Sequence, residues 1–187
     1  MIIHSHIKTV TTLARIIDAS EACRRCHCYK VESYSLIICR ELKLTPKETK
    51  IIKIASILHD IGKIGIDIDI IKNPGKLSPE DWRQIRLHPE IGANIVKQAG
   101  FLNEIAPAIL YHHARYDGGG YPDPEIKGED IPLGARIICM SDAFDAMIND
   151  RPYRKAMPKE AALKELNRCA GSQFDPYLVK IFLKNIR

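Results

Sequence analysis

Residues 51–65 read IIKIASILHDIGKIG, an apolar run at helical spacing (Ile51, Ile52, Ile54, Ala55, Leu58) that ends on an adjacent histidine and aspartate, His59 and Asp60. This stretch limits the fold more than any other. Apolar residues at that period require the segment to bury a face against other helices. Carrying an imidazole and a carboxylate into the same interior is costly unless the two are paired or hold a metal ion. Neutral imidazole together with carboxylate is a ligand set for Zn, Fe or Mn.

The helical period continues along most of the chain. Leu13, Ile16 and Ile17 predict a helix over 11–19, and Tyr34, Ile37, Ile38 and Leu42 another over 31–42. Thr45-Pro46-Lys47-Glu48 places a capping threonine, a proline at the first helical position and a glutamate at the third, opening a helix that runs to Leu58. Ser78-Pro79-Glu80-Asp81 repeats that signal ahead of Trp82 and Ile85, and Pro89 opens a helix carrying Ile91, Ile95 and Val96. Further helices are predicted over 103–113, 132–149, 158–169 and 176–186, with turn-rich links at 73–75, 117–124 and 171–173. No segment alternates with strand period and none repeats. The expectation is all-α: one compact helical bundle over 11–187 behind a tail at 1–10.

Hydrophobic residues make up 45% of the chain and charged residues 27%, which excludes a disordered or fibrous class. The net charge of +5 suits an anionic ligand as well as it suits nucleic acid. No Lys/Arg block with interleaved aromatics marks a dedicated nucleic-acid surface. The start, MIIHSHIKTV, lacks a basic segment followed by an apolar one, and no uninterrupted apolar run approaches a membrane span. A cytoplasmic location is therefore expected, with the six cysteines reduced. Cys23-Arg24-Arg25-Cys26-His27 spells C-x-x-C-H, a c-type haem attachment signature. Without an export signal that reading is set aside and no haem is expected.

Histidines and aspartates that follow helices or interrupt apolar faces are His27, His59, Asp60, His88, His112, His113 and Asp142. Each alone reads more simply as a satisfied polar residue, but together they make a candidate metal centre. Six ordered segments extend this reading: His59-Asp60-Ile61-Gly62-Lys63-Ile64-Gly65, His88-Pro89-Glu90-Ile91-Gly92, His112-His113, Asp117-Gly118-Gly119-Gly120-Tyr121-Pro122, Ile131-Pro132-Leu133-Gly134-Ala135-Arg136-Ile137 and Asp150-Arg151-Pro152-Tyr153-Arg154-Lys155. In this order they resemble the HD-GYP family, the cyclic-di-GMP phosphodiesterase branch of the HD metal-dependent phosphohydrolases. The resemblance covers nearly the whole chain.

It implies two divalent metal ions, Fe or Mn in the first place, with Zn or Ni able to occupy the site in purified protein. His27, His59, Asp60 and Asp142 would surround one, Asp60, His88, His112 and His113 the other, with Asp60 and a hydroxide bridging them. Such a pair lowers the pKa of bound water and neutralises charge on phosphate oxygens. The implied reaction is hydrolysis of cyclic-di-GMP to the linear dinucleotide pGpG, with Asp60 and Lys63 catalytic. Lys63, Tyr121, Arg151 and Arg154 are the implied substrate contacts. The resemblance also links the GYP loop to cyclic-di-GMP-synthesising domains as partners. Regulatory domains usually accompany this family, and none is read in the chain.

Three positions depart from the family pattern. Cys23 stands where a glutamate would hold a third metal, so a dinuclear centre is expected. Cys26 replaces a glycine. Ala114 stands where a glutamate usually follows the paired histidines, a change that can cost roughly 10–100-fold in affinity or activity. Two alternatives stay open: a related cyclic dinucleotide such as 3′,3′-cyclic GMP-AMP as substrate, and a module that binds a cyclic dinucleotide or a partner protein with little or no turnover.

Overall fold

A computed structural model describes residues 12, 27–73, 75–100, 102–150 and 155–186. The helix expected over 11–19 (Thr12 excepted), the thiols Cys23 and Cys26, and Arg151 and Arg154 lie outside the described residues.

Helix α1 spans His27–Glu41 and α2 spans Pro46–Leu58. The expected start signal of α2 is present: Thr45 Oγ1 accepts from Glu48 N, and the Glu48 carboxylate accepts from Thr45 N at 2.9 Å. A 3₁₀ turn, Ile61–Gly65, follows directly and leads to a short helix α3, Ile68–Lys72, which periodicity did not reveal. Helix α4, Pro79–Ile85, begins with the Ser78/Asp81 capping box, and α5 is His88–Gln98. The helix expected over 103–113 is divided into a 3₁₀ turn, Asn103–Ile105, and α6, Ala106–Leu110. Pro107 explains the break: it has no N–H to continue a ladder from Asn103, yet suits the first turn of a new helix. A long loop with a 3₁₀ turn at Gly128–Asp130 precedes α7, Leu133–Ile148, and the chain closes with α8, Lys159–Arg168, and α9, Pro176–Asn185. Among the described residues there is no strand beyond one isolated bridge between Ala170 and Phe174, so the all-α expectation holds.

Two apolar clusters hold these helices together. In the first, Val31, Leu58, Ile61, Val96, Ile109 and Ile138 join α1, α2, α5, α6 and α7. In the second, Ile38, Ile137, Met140, Phe144, Leu166 and Phe182 join α1 and α7 to α8 and α9. Helix α7 serves both clusters because it is apolar around most of its circumference. Tyr34, Phe144 and Phe182 meet edge to face, with ring centroids 5.0–6.0 Å apart. Full burial of Phe144 and of Phe182 contributes roughly 1.5–3 kcal/mol each. By contrast, α3 and α4 bury no residue, and Trp82 is 48% exposed although it lies on the helix predicted around it.

An ion pair between a half-buried arginine and a buried aspartate ties α7 to the start of α9. Arg136 Nη1 donates to Asp175 Oδ2 at 2.6 Å and Arg136 Nε donates to Ile131 O at 2.9 Å. The other Asp175 oxygen accepts from Tyr177 N and Leu178 N, capping α9. Arg136→Met therefore strands a buried carboxylate, and is expected to lower unfolding free energy by roughly 2 kcal/mol in a denaturant titration. An unchanged midpoint would assign the pair no role in stability.

Candidate metal centre

The seven histidines and aspartates singled out in the sequence come from five separate segments. His27 lies on α1; His59 and Asp60 follow α2; His88 opens α5; His112 and His113 lie in the turn after α6; Asp142 lies within α7. His59, Asp60, His88, His112 and His113 sit at helix ends or in the turns beyond them, whereas His27 and Asp142 are carried on helices. His27, His59, Asp60, His88 and His112 are all buried.

Two groups of potential ligand atoms result, His27/His59/Asp60 and His88/His112/His113, each with its atoms within 4.8 Å of one another. Asp142 joins the first group, with Oδ1 3.2 Å from His27 Nε2. Asp60 stands between the two: Oδ2 lies 3.4 Å from His59 Nε2 and 4.0 Å from His27 Nε2, while Oδ1 lies 3.3 Å from His88 Nε2. The close approach of the 3₁₀ turn to the start of α5 rests on Gly62. A Cβ there would fall 1.9 Å from His88 O and 2.5 Å from Gly92 N.

The protonation pattern fits a cation. His59, His88 and His112 each place Nδ1 against the carbonyl of the residue three before it, Ser56, Ile85 and Ile109, at 2.8, 2.7 and 2.6 Å. A carbonyl oxygen only accepts, so Nδ1 carries the proton and Nε2 of the neutral ring presents its lone pair. Burial pushes His88 down to about 4 and His112 well below its usual range, so neither gains a second proton near neutrality. Their Nε2 atoms nevertheless face each other at 3.2 Å. His59 Nε2 is buried and makes no hydrogen bond among the described residues. Burial likewise lowers His113 to about 3. Burial would raise Asp142, but the adjacent His27 and His59 imidazoles outweigh it and hold the carboxyl well below its usual range. Converging lone pairs, an unsatisfied buried imidazole and flanking carboxylates are the environment a divalent metal fills.

Lys63 Nζ donates to Asp60 Oδ2 at 2.7 Å, placing its ammonium at the edge of the cluster. Tyr121 stacks on His113 with centroids 4.7 Å apart and planes 28° apart, and the Arg86 guanidinium lies 5.5 Å from the Tyr121 centroid. The loop before it divides its work among three glycines. Gly118 and Gly119 have φ of 90° and 74°, and a Cβ on Gly120 would fall 2.6 Å from His113 O. The loop thus packs against the backbone that carries His113. Ala114 is buried beside Ile131 and Ala135, in an apolar pocket.

One contributor was missed in the sequence. Asp145, one turn after Asp142 on α7, accepts from His27 Nδ1 at 2.6 Å. The spacing of the two aspartates, three apart on one helix, was its available signal.

Two histidine-rich ligand groups with a carboxylate between them make a candidate metal-binding centre in a helical fold. Residues 1–178 match the family described as HD domain, and the chain belongs to that family. The HD-GYP reading of its motifs is supported by curated relatives. It is 37% identical over 179 residues to the cyclic di-GMP phosphodiesterase response regulator RpfG of Xanthomonas campestris, covering 95% of this chain and 47% of that protein. It is 34% identical over 167 residues to 3′3′-cGAMP-specific phosphodiesterase 3 of Vibrio cholerae, covering 89% of this chain and 36% of that protein. A cyclic di-GMP phosphodiesterase of Thermotoga maritima is 37% identical, covering 84% of this chain and 43% of that protein. The chain therefore spans about half or less of the length of these relatives. The fold is shared with a cyclic GMP-AMP phosphodiesterase from V. cholerae at a TM-score of 0.75 and 22% identity, over 95% of this chain and 48% of that one. Among the described residues no helix is long and apolar enough to cross a membrane.

Proposed function

We propose that this chain is the catalytic unit, over residues 11–187, of a cytoplasmic metal-dependent phosphodiesterase that hydrolyses cyclic-di-GMP to pGpG. The observation that carries the reading is Asp60 standing between two histidine groups whose Nε2 lone pairs converge, at 3.2 Å for His88 and His112. His27, His59, Asp60 and Asp142 would hold one ion and Asp60, His88, His112 and His113 the other, with Fe or Mn favoured by mixed N/O ligation. When bound, such a pair acidifies water and neutralises charge on a phosphodiester.

The remaining work belongs to the chain. Asp60 holds the Lys63 ammonium in place at 2.7 Å, where it offers positive charge to a phosphate oxygen as charge develops. Tyr121 keeps the His113 ring in position through their stacked faces and turns its edge to the ligand. Burial and the neighbouring Asp60 and Asp142 charges raise its phenol well above the usual range, so the hydroxyl stays a neutral donor. Arg151 and Arg154 contact phosphate or guanine on the strength of the motif, and the GYP loop is the face for a cyclic-di-GMP-synthesising partner.

Metal-free protein reconstituted anaerobically with Fe(II) or Mn(II) and given cyclic-di-GMP is expected to yield pGpG on chromatography. Tight binding without product would instead establish a binding module. The relative named as 3′3′-cGAMP-specific favours a second substrate, and the same assay with that dinucleotide compares kcat/KM directly. Lys63→Met is expected to lower kcat by roughly 10²-fold while metal content is kept. Equal kcat in the variant would remove Lys63 from the chemistry.

A further inference from the structure

Four histidines of the cluster engage Nδ1 in a hydrogen bond, and the four are not equivalent. His59, His88 and His112 give that proton to a backbone carbonyl three residues earlier. His27, on α1, gives the proton to a carboxylate instead, Asp145 Oδ2 at 2.6 Å. Asp145 is only 4% exposed, and its second oxygen is also engaged. Asn149 Nδ2 donates to Asp145 Oδ1 at 2.9 Å and to Asp145 O at 2.7 Å, and Lys30 Nζ donates to Asn149 Oδ1 at 2.7 Å. Lys30 is one turn after His27 on α1, and Asn149 is one turn after Asp145 at the end of α7. The loop is closed: His27, Asp145, Asn149 and Lys30 bind two helices together through one imidazole.

From this geometry we infer that Asp145, clamped by Asn149 and Lys30, is a positioning residue that makes the two metal positions unequal and gives the His27 position the tighter ion. The inference rests on the two-metal reading. A carboxylate behind an imidazole fixes its tautomer and orientation and raises its basicity as a ligand. The His27 position also draws on Asp142 and Asp60, whereas the other group offers three imidazoles and shares Asp60. Greater negative charge at the first position strengthens its hold on a divalent ion. Loading is therefore ordered, with the His27 position filling first and the His88/His112/His113 position second.

Calorimetric titration of the metal-free chain with Mn(II) alone tests this. Two binding steps are expected, with His27→Ala abolishing the tighter and His113→Ala impairing the weaker. Asp145→Asn keeps the shape and removes the charge. It should weaken the tighter step roughly 10–100-fold and leave the weaker within about twofold. Asn149→Ala, which leaves the buried carboxylate in place, should weaken the same step by a smaller factor and serves if Asp145→Asn does not fold. Unchanged affinity for the tighter step in the folded variants, or equal weakening of both steps, overturns the positioning role while the two-metal reading stands. Two undisturbed steps in His27→Ala overturn both.

Discussion

Asp60→Ala is expected to empty both metal positions and to reduce turnover to background. Its two oxygens face different histidine groups, Oδ1 towards His88 at 3.3 Å and Oδ2 towards His59 at 3.4 Å. Oδ2 also holds the Lys63 ammonium at 2.7 Å. Removal takes away the carboxylate that stands between His59 and His88 and accepts from Lys63. Losing an outer hydrogen-bond partner of a ligand costs roughly 10–100-fold. Loss of the residue placed to share two ions should exceed that, with metal per chain falling towards zero in elemental analysis. Asp60→Asn, close in shape but uncharged, should behave almost as badly, which separates charge from packing. An Asp60→Ala protein that keeps two metals and turnover would refute the proposed centre.

Gly62→Ala is expected to damage the fold and the site together. The added Cβ would meet His88 O at 1.9 Å, His88 C at 2.8 Å and Gly92 N at 2.5 Å, all backbone atoms of α5. Backbone cannot rotate aside as a flexible side chain can, so the 3₁₀ turn and α5 must separate. That separation opens the cluster around Ile61, Ala93 and Ile109 and withdraws His88 from Asp60. Overpacking of this kind costs about 3 kcal/mol. For a domain of this size the melting temperature should fall by roughly 6–12 °C. The metal-free protein should show that fall, and reconstituted protein should bind the second ion poorly. A Gly62→Ala chain with unchanged melting and full metal content would show that the two segments can part without loss.

How far the sequence could be read depended on how local each signal was. The capping boxes at Thr45/Glu48 and Ser78/Asp81 lie within four residues, and both helices begin where those residues require. The helix expected over 103–113 failed at Pro107, where the apolar period carried on through a position that cannot donate. Helix α3 escaped notice because it buries nothing, so no apolar period marks it. The seven metal-ligand candidates stood out because histidine and aspartate that follow apolar helices or interrupt their faces conflict with burial unless they are paired or hold a metal. Tyr121 was read as a ligand contact, and its stacking on His113 came only with the structure. Asp145 was passed over because an aspartate near the end of a long helix is ordinarily solvated.

By itself the sequence determined the helical class, the main helix starts and the identity of the polar residues that the bundle would have to accommodate. These follow from local hydrogen bonding and from the period of apolar side chains, which need no knowledge of what lies opposite. Tertiary structure alone decided which histidines share a group, that Asp60 stands between the groups, and that His27 is backed by a carboxylate 118 positions away. Those relations are set by how α1, the α2 end, α5, the α6 turn and α7 pack, and such packing is fixed by contacts between residues far apart in the chain. A glycine at 62 illustrates the division. In the sequence it is a break after His-Asp; in the fold it is the point where two backbones come close enough for the two ligand groups to meet.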